Sequence, residues 1–177
     1  SSVPELIWSR RVGAGPPDIM FTSNNTTPAD YAAAAGGCIL NLDDISFVFK
    51  VPEPFPELIC FRYNLGPLRT GNAIIGNPVE AKYGVRHDQV VDAYRLARSR
   101  GAKRFGIHTM VISNERDYTY MVETVRGLLG IIEMVSDQLG VRFEFLNMGG
   151  GLGIPYKPED GPISIMSMAA EIKELLS

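Results

Sequence analysis

Four of the chain's 18 glycines fall within five positions, at Gly149, Gly150, Gly151 and Gly153. They belong to the run 147–156, Asn-Met-Gly-Gly-Gly-Leu-Gly-Ile-Pro-Tyr. Consecutive glycines weaken any helix or strand they enter, so the run serves something other than regular structure. Bare backbone permits close approach, and an apolar, strand-like segment at 141–146 leads straight into it. After a strand in an α/β chain, such a turn can cradle a phosphate on N–H donors. A tight strand-to-loop turn with no ligand uses the same residues, and the glycines alone do not choose between the two.

Other chemically able side chains recur at the ends of strand-like segments. Asn24 and Asn25 follow 19–22, Asn41 and Asp43 close 38–42, and Arg62 and Asn64 close 58–63. His108 and Ser113 come at and after the end of 104–108. Loops are polar in general, but polar groups at five successive strand ends can line one mouth. Arg62 stands within an apolar strand, where a cation needs a partner. Cys38 and Cys60 lie in apolar runs and read as reduced core thiols, which points to a cytoplasmic location. His87 and His108 are the only histidines and are far apart, so no metal site is expected.

The elements that must position these groups follow from local signals. Ser2-x-x-Glu5 is a capping-box pattern that starts a helix before Gly13. Thr27-Pro28-x-Asp30 starts another, continued by alanines 32–35 and ended by Gly36-Gly37. Asp43-Asp44 caps a helix reaching about Lys50, and Asp88 starts one that stops at Gly101. The long helix at 115–139 carries Tyr118, Met121, Val122, Val125, Leu128, Leu129, Ile132 and Val135 at the helical period. A last amphipathic helix spans 165–176. The stretch 64–86, rich in glycine and proline, is long enough for a loop to be functional. Alternating strands and helices build a parallel sheet covered by helices. Both an open doubly wound sheet and part of a (β/α)₈ barrel fit, and both place function at the carboxyl ends of strands.

Totals narrow the function. The chain has 177 residues, 45% hydrophobic and 21% charged, which suits a single globular domain. A net charge of −3 gives no electrostatic case for nucleic acid or for an anionic membrane. No apolar run approaches a membrane span, and the start Ser-Ser-Val-Pro-Glu lacks the pattern of a signal peptide. The missing initiator Met is expected of a processed, excised or partial chain.

The run 147–156 is very similar to the Asn-Leu-Gly-Gly-Gly-Leu-Gly-Ile-Pro-Tyr motif of diaminopimelate decarboxylases. Those are fold-type III decarboxylases that use pyridoxal 5'-phosphate on an alanine racemase-like (β/α)₈ TIM barrel. Phe-Thr-Ser-Asn-Asn at 21–25 resembles the family's third-strand segment, and Phe-Arg-Tyr-Asn-Leu-Gly at 61–66 its Arg-x-Asn-Pro-Gly segment. Ala-Lys-Tyr-Gly at 81–84 resembles Ser-Lys-Phe-Gly, and Gly-Ile-His at 106–108 resembles Gly-Leu-His. The resemblance covers nearly the whole chain. It implies that Gly149, Gly150, Gly151 and Ser113 hold the cofactor phosphate, with Arg62 and Lys82 under or beside the cofactor and His108 in a structural position.

The chain departs from the pattern in two ways. Met110 stands where a second histidine would stack on the cofactor ring, and Ile112 replaces a glycine. A thioether packs well on an aromatic face, but it does not titrate. Similar substitutions occur in a branch that includes D-ornithine/D-lysine decarboxylases. Second, the Schiff-base lysine of the first strand, the Glu-Pro-Gly-Arg segment and the carboxy-terminal β domain have no counterpart here. Residues 1–177 are therefore expected to be an interior part of the barrel domain with five strand–helix units, inactive alone, and without catalytic residues of its own. Lys82 is the alternative imine-forming lysine. The intact protein is expected to be a homodimeric carboxy-lyase converting meso-diaminopimelate to L-lysine and CO₂. A D-ornithine/D-lysine decarboxylase and a non-catalytic barrel remnant are the alternatives.

Overall fold

The computed structural model describes residues 1–66, 83–157 and 159–177. Among them, five parallel strands form one sheet in the order β1-β2-β3-β4-β5. The strands are β1 (Met20–Ser23), β2 (Ile39–Leu42), β3 (Leu58–Arg62), β4 (Arg104–His108) and β5 (Phe143–Asn147). Each strand pairs with its successor in the chain, and the order never reverses. A doubly wound sheet requires a reversal at its switch point, so the sheet is an arc of a barrel. This decides between the two architectures that the sequence leaves open.

The helices are α1 (Val3–Arg11), α2 (Pro28–Ala34), α3 (Val90–Ser99), α4 (Thr119–Leu139) and α5 (Ile165–Leu175). The expected helix start at Thr27 is α2, where Thr27 and Asp30 form a capping box. Ser2 instead donates its hydroxyl to the Glu5 carboxylate at 2.8 Å and caps no backbone N–H of α1. The segment after Asp44 is a 3₁₀ helix, Ile45–Lys50, rather than an α-helix. The long helix begins at Thr119, four residues later than the expected start. Glu115 is held instead in a bridge to Leu152. The apolar strand expected at 141–146 is β5, half-exposed at one edge of the described sheet.

Side chains alternate across the strands, so the sheet has two unlike faces. Phe21, Leu40, Leu42, Ile59, Phe61, Phe105 and Ile107 pack with Tyr31, Ala34, Val90, Ala93, Tyr94, Ala97 and Leu128 of the helices in one core. Tyr94 is its centre: its ring meets Phe61 at 5.0 Å, Phe105 at 5.8 Å and Phe143 at 5.0 Å, each edge to face. Its hydroxyl donates to the Gly106 carbonyl at 2.8 Å. The opposite face, which is free of helices among the described residues, carries Thr22, Asn41, Cys60, Arg62, Gly106, His108, Phe145 and Asn147. A register shift between Phe105 and Gly106 puts Phe143 on the helix face and Phe145 on the other. A Cβ on Gly106 would stand 2.1 Å from the Phe145 ring, so glycine there makes room for that ring. Cys60 is buried, Cys38 is half-buried, and both are free thiols.

Tyr94 carries both packing and a buried hydroxyl. Tyr94→Ala is expected to cost about 3–5 kcal/mol through the cavity it leaves. Tyr94→Phe should cost about 1 kcal/mol through the lost hydrogen bond. Urea unfolding of the intact protein measures both, and no loss in Tyr94→Phe would show that packing alone matters.

Candidate functional site

The β4–β5 ladder does not stop where the strands do. Beyond the His108–Asn147 pair, the Thr109 N–H donates to the Asn147 carbonyl at 3.1 Å. The glycine run then lies directly on segment 109–112. A Cβ on Gly149 would stand 2.2 Å from the Thr109 carbonyl oxygen, and one on Gly151 would stand 2.1 Å from that of Ile112. Both glycines have left-handed backbone, with φ of 78° and 98°. One on Gly153 would stand 2.8 Å from the Asn114 carbonyl oxygen. The Glu115 N–H donates to the Gly151 carbonyl at 2.9 Å, and the Gly153 N–H to that of Glu115 at 2.7 Å.

Gly150 is different. Nothing lies within 4 Å of its Cβ position, and it is exposed. Its N–H meets the Met110 sulfur at 3.3 Å, and thioether sulfur is a weak acceptor. The Gly149 N–H is taken by Asn147 Oδ1 at 2.9 Å. The sequence treats the three glycines alike, whereas the structure divides them: backbone packing requires Gly149 and Gly151, while nothing in the fold requires Gly150. Ser113 is half-buried and directly follows Ile112, whose carbonyl abuts Gly151.

Arg62 gathers three strand ends. It lies 3.2 Å from the Asp43 carboxylate after β2, and it donates to the Met110 carbonyl at 3.2 Å and to Asn24 Oδ1 at 3.4 Å. The Arg62 and Asp43 side chains are only 13% and 6% exposed, so each charge depends on the other. Burial pushes the Asp43 carboxyl up, and Arg62 pulls it back. The Tyr83 ring stands 5.2 Å from the Arg62 guanidinium. His108, level with Arg62 and Asn147 in the ladder, is buried and bonded through Nδ1 to Asn41 Nδ2 at 2.9 Å. Burial first, and Arg62 second, pull its pKa down to about 4.

Arg62, His108, Met110, Ser113 and the glycines thus come to the carboxyl ends of β3, β4 and β5, on neighbouring chain segments. Lys82 lies outside the described residues, as does most of the glycine- and proline-rich loop. Sequence reasoning missed Asn114, whose φ is +51° and whose Oδ1 accepts the Ile154 N–H at 3.4 Å. An asparagine between a strand end and a helix was the available signal. Among the described residues, no group of His, Cys, Asp or Glu could hold a metal ion, and no helix is long and apolar enough to cross a membrane.

A family model described as "Pyridoxal-dependent decarboxylase, pyridoxal binding domain" matches residues 1–177. The chain is 34% identical over 177 residues to Protein TabA of Pseudomonas amygdali pv. tabaci, covering 99% of this chain and 42% of that protein. It is 32% identical over 180 residues to the diaminopimelate decarboxylase of Thermoplasma acidophilum, covering 97% of this chain and 43% of that one. The solved structure of diaminopimelate decarboxylase from M. jannaschii with L-lysine superposes with a TM-score of 0.84 at 22% identity, over 99% of this chain and 43% of that one. That likeness is one of fold, and the chain spans under half the length of these proteins.

Two outcomes are expected from the site's geometry. Alanine at Gly149 or Gly151 meets both a left-handed backbone and a carbonyl contact, and should destabilise by more than about 2 kcal/mol. Gly150→Ala should change stability by less than about 0.5 kcal/mol, a difference thermal unfolding resolves. His108 supplies a pH dependence. Its pKa is about 4 folded against 6.5 for the free side chain, so the unfolded chain binds the extra proton. Stability should fall as pH drops from about 6.5 to about 4, by on the order of 3 kcal/mol from this group. His108→Gln should flatten that part of the stability–pH profile.

Proposed function

The chain belongs to the pyridoxal-dependent decarboxylases, within their pyridoxal-binding domain, and on that premise we propose that the intact protein decarboxylates meso-diaminopimelate to L-lysine. The observation that carries the reading is Gly150: an exposed, unhindered backbone amide in a loop whose other glycines are fixed by packing. Such a position suits the phosphate of pyridoxal phosphate, because a side chain there would fill the space an anion needs. The substrate rests on relatives named diaminopimelate decarboxylase, at 32% and 31% identity over 97% of this chain.

In this reading the Gly150 amide and the Ser113 hydroxyl hold the phosphate, and Gly149 and Gly151 shape the turn that presents them. Pyridoxal phosphate, when bound, supplies an electron sink for the pair left as a carboxylate departs as CO₂. The chain's own residues set the surroundings. Arg62 fixes the ends of β1, β2 and β4 and brings a positive charge that Asp43 balances. Met110 offers an apolar, polarisable surface, and such a surface packs on an aromatic ring without titrating. His108 stays neutral and adds no charge to the mouth.

The lysine that joins the cofactor is assigned outside these residues. Lys50 bonds the Thr26 carbonyl, Lys103 pairs with Glu57, and Lys157 and Lys173 lie in exposed positions. Residues 1–177 are then an interior part of the barrel domain, followed in the whole enzyme by a β domain. A homodimer and a cytoplasmic location complete the reading, the latter supported by two free thiols in apolar surroundings.

The test is CO₂ release by the intact protein from meso-diaminopimelate, D-lysine and D-ornithine, with L-lysine identified as product. Activity on meso-diaminopimelate alone is expected. Preference for a D-amino acid would replace the substrate assignment. With pyridoxal phosphate, an absorbance near ~420 nm should appear, as expected of this cofactor on a lysine. Its absence would overturn the function altogether.

A further inference from the structure

Asn41 is fully buried on the helix-free face, within the otherwise apolar strand β2. Its Nδ2 lies 3.1 Å from Thr22 Oγ1 and 2.9 Å from His108 Nδ1. Its Oδ1 is buried with no hydrogen-bond partner. The two ways of setting the amide are not equal. With Nδ2 toward its neighbours, both N–H groups are used and one carbonyl oxygen goes without. Turned over, the oxygen is served and two N–H donors are stranded. One orphaned group costs less than two, so Nδ2 faces Thr22 and His108.

This orientation fixes more than the amide. An N–H can be accepted only by an imidazole nitrogen that carries no proton. His108 Nδ1 is then bare, and its single proton sits on Nε2. The His108 imidazole makes no further hydrogen bond to any described residue. Nε2 is thus unpartnered among the described residues without being fully enclosed. A leucine or valine at position 41 would avoid the orphaned carbonyl. The buried amide therefore serves His108 rather than the core.

We propose that Asn41 is a positioning residue that donates to His108 Nδ1, holds the imidazole as the Nε2–H tautomer, and so presents one neutral N–H donor to an acceptor oxygen in the mouth. The oxygen belongs either to the cofactor or to the carboxylate of an amino acid bound beside it. The inference rests on the reading of this mouth as a pyridoxal phosphate site. Arg62 of β3 is the charged group that acts on His108, Asp43 after β2 is paired with Arg62, and Asn147 of β5 adds no charge.

The experiment is ¹⁵N NMR of the intact protein labelled at histidine, with the His108 signal assigned by its loss in His108→Gln. Nδ1 is expected in the unprotonated imidazole range and to stay there from about pH 5.5 to 8.5, a window in which an ordinary histidine titrates. In Asn41→Asp the carboxylate accepts instead of donating, and Nδ1 should move to the protonated range. If that variant fails to fold, the wild-type spectrum decides alone. An Nδ1–H tautomer, or titration near the ordinary histidine value, would overturn the proposal. Addition of pyridoxal phosphate should shift Nε2 if the cofactor supplies the oxygen. A shift only after L-lysine is added identifies the carboxylate. No shift in either case, with cofactor binding confirmed by absorbance, rejects the donor role. Absent cofactor absorbance would instead fault the function on which this role rests, while the tautomer result stands by itself.

Discussion

The mouth of this sheet depends on two stretches of backbone touching without side chains between them. Segment 109–112 and the glycine run continue the β4–β5 ladder past its last strand pair. They approach so closely that any Cβ at Gly149 or Gly151 would overlap a carbonyl oxygen. Ordinary strand ends diverge into loops because their side chains need room. Here the lack of side chains keeps the two ends together for several more residues. Met110 and Gly150 are brought into contact as a result, and Ser113 is carried to the far end of the same seam. Most of the positions that could hold an anion are consequences of that contact.

A second constraint is the polarity of the helix-free face. On the helix side, burial of apolar area stabilises the sheet in the usual way. The other side buries Asn41 fully and Arg62, Asp43 and His108 nearly so. Removing a charge from water costs several kcal/mol unless a partner is supplied. The Arg62–Asp43 pair and the Asn41–His108 contact supply those partners, with one carbonyl oxygen left over. Apolar residues would make a more stable face. Retaining polar ones at the carboxyl ends of a barrel arc is what a site, rather than a core, requires.

How much of this was legible in the sequence differs by level. Among the described residues, the five strands were visible as apolar runs, and the five α-helices as capping signals or periodic stripes. Boundaries moved where a tertiary contact competed with local preference. Glu115 was drawn out of the long helix by its bridge to Leu152, and the residues after Asp44 tightened into a 3₁₀ turn. The choice between an open sheet and a barrel was invisible to periodicity, since both alternate strand and helix. It was carried by the motifs and confirmed by strand order. Arg62 was legible as a cation in an apolar strand. Its three partners were not, because Asn24, Asp43 and the Met110 carbonyl are far apart in sequence. The unequal roles of the three glycines were likewise hidden, since a sequence records a missing side chain and not what the missing side chain would strike.

The Met110 contact shows why that inequality matters. An N–H donor bonded to thioether sulfur has a poor partner. A phosphate oxygen carries charge and accepts a backbone N–H about twice as well. An anion at Gly150 would displace the sulfur at little cost. A stronger acceptor at position 110 would compete with the anion for the same amide. A longer side chain at position 150 would exclude it. The pairing of a weak acceptor with an unhindered glycine leaves the amide protected but available, and this is a property of the two positions together rather than of the glycine motif.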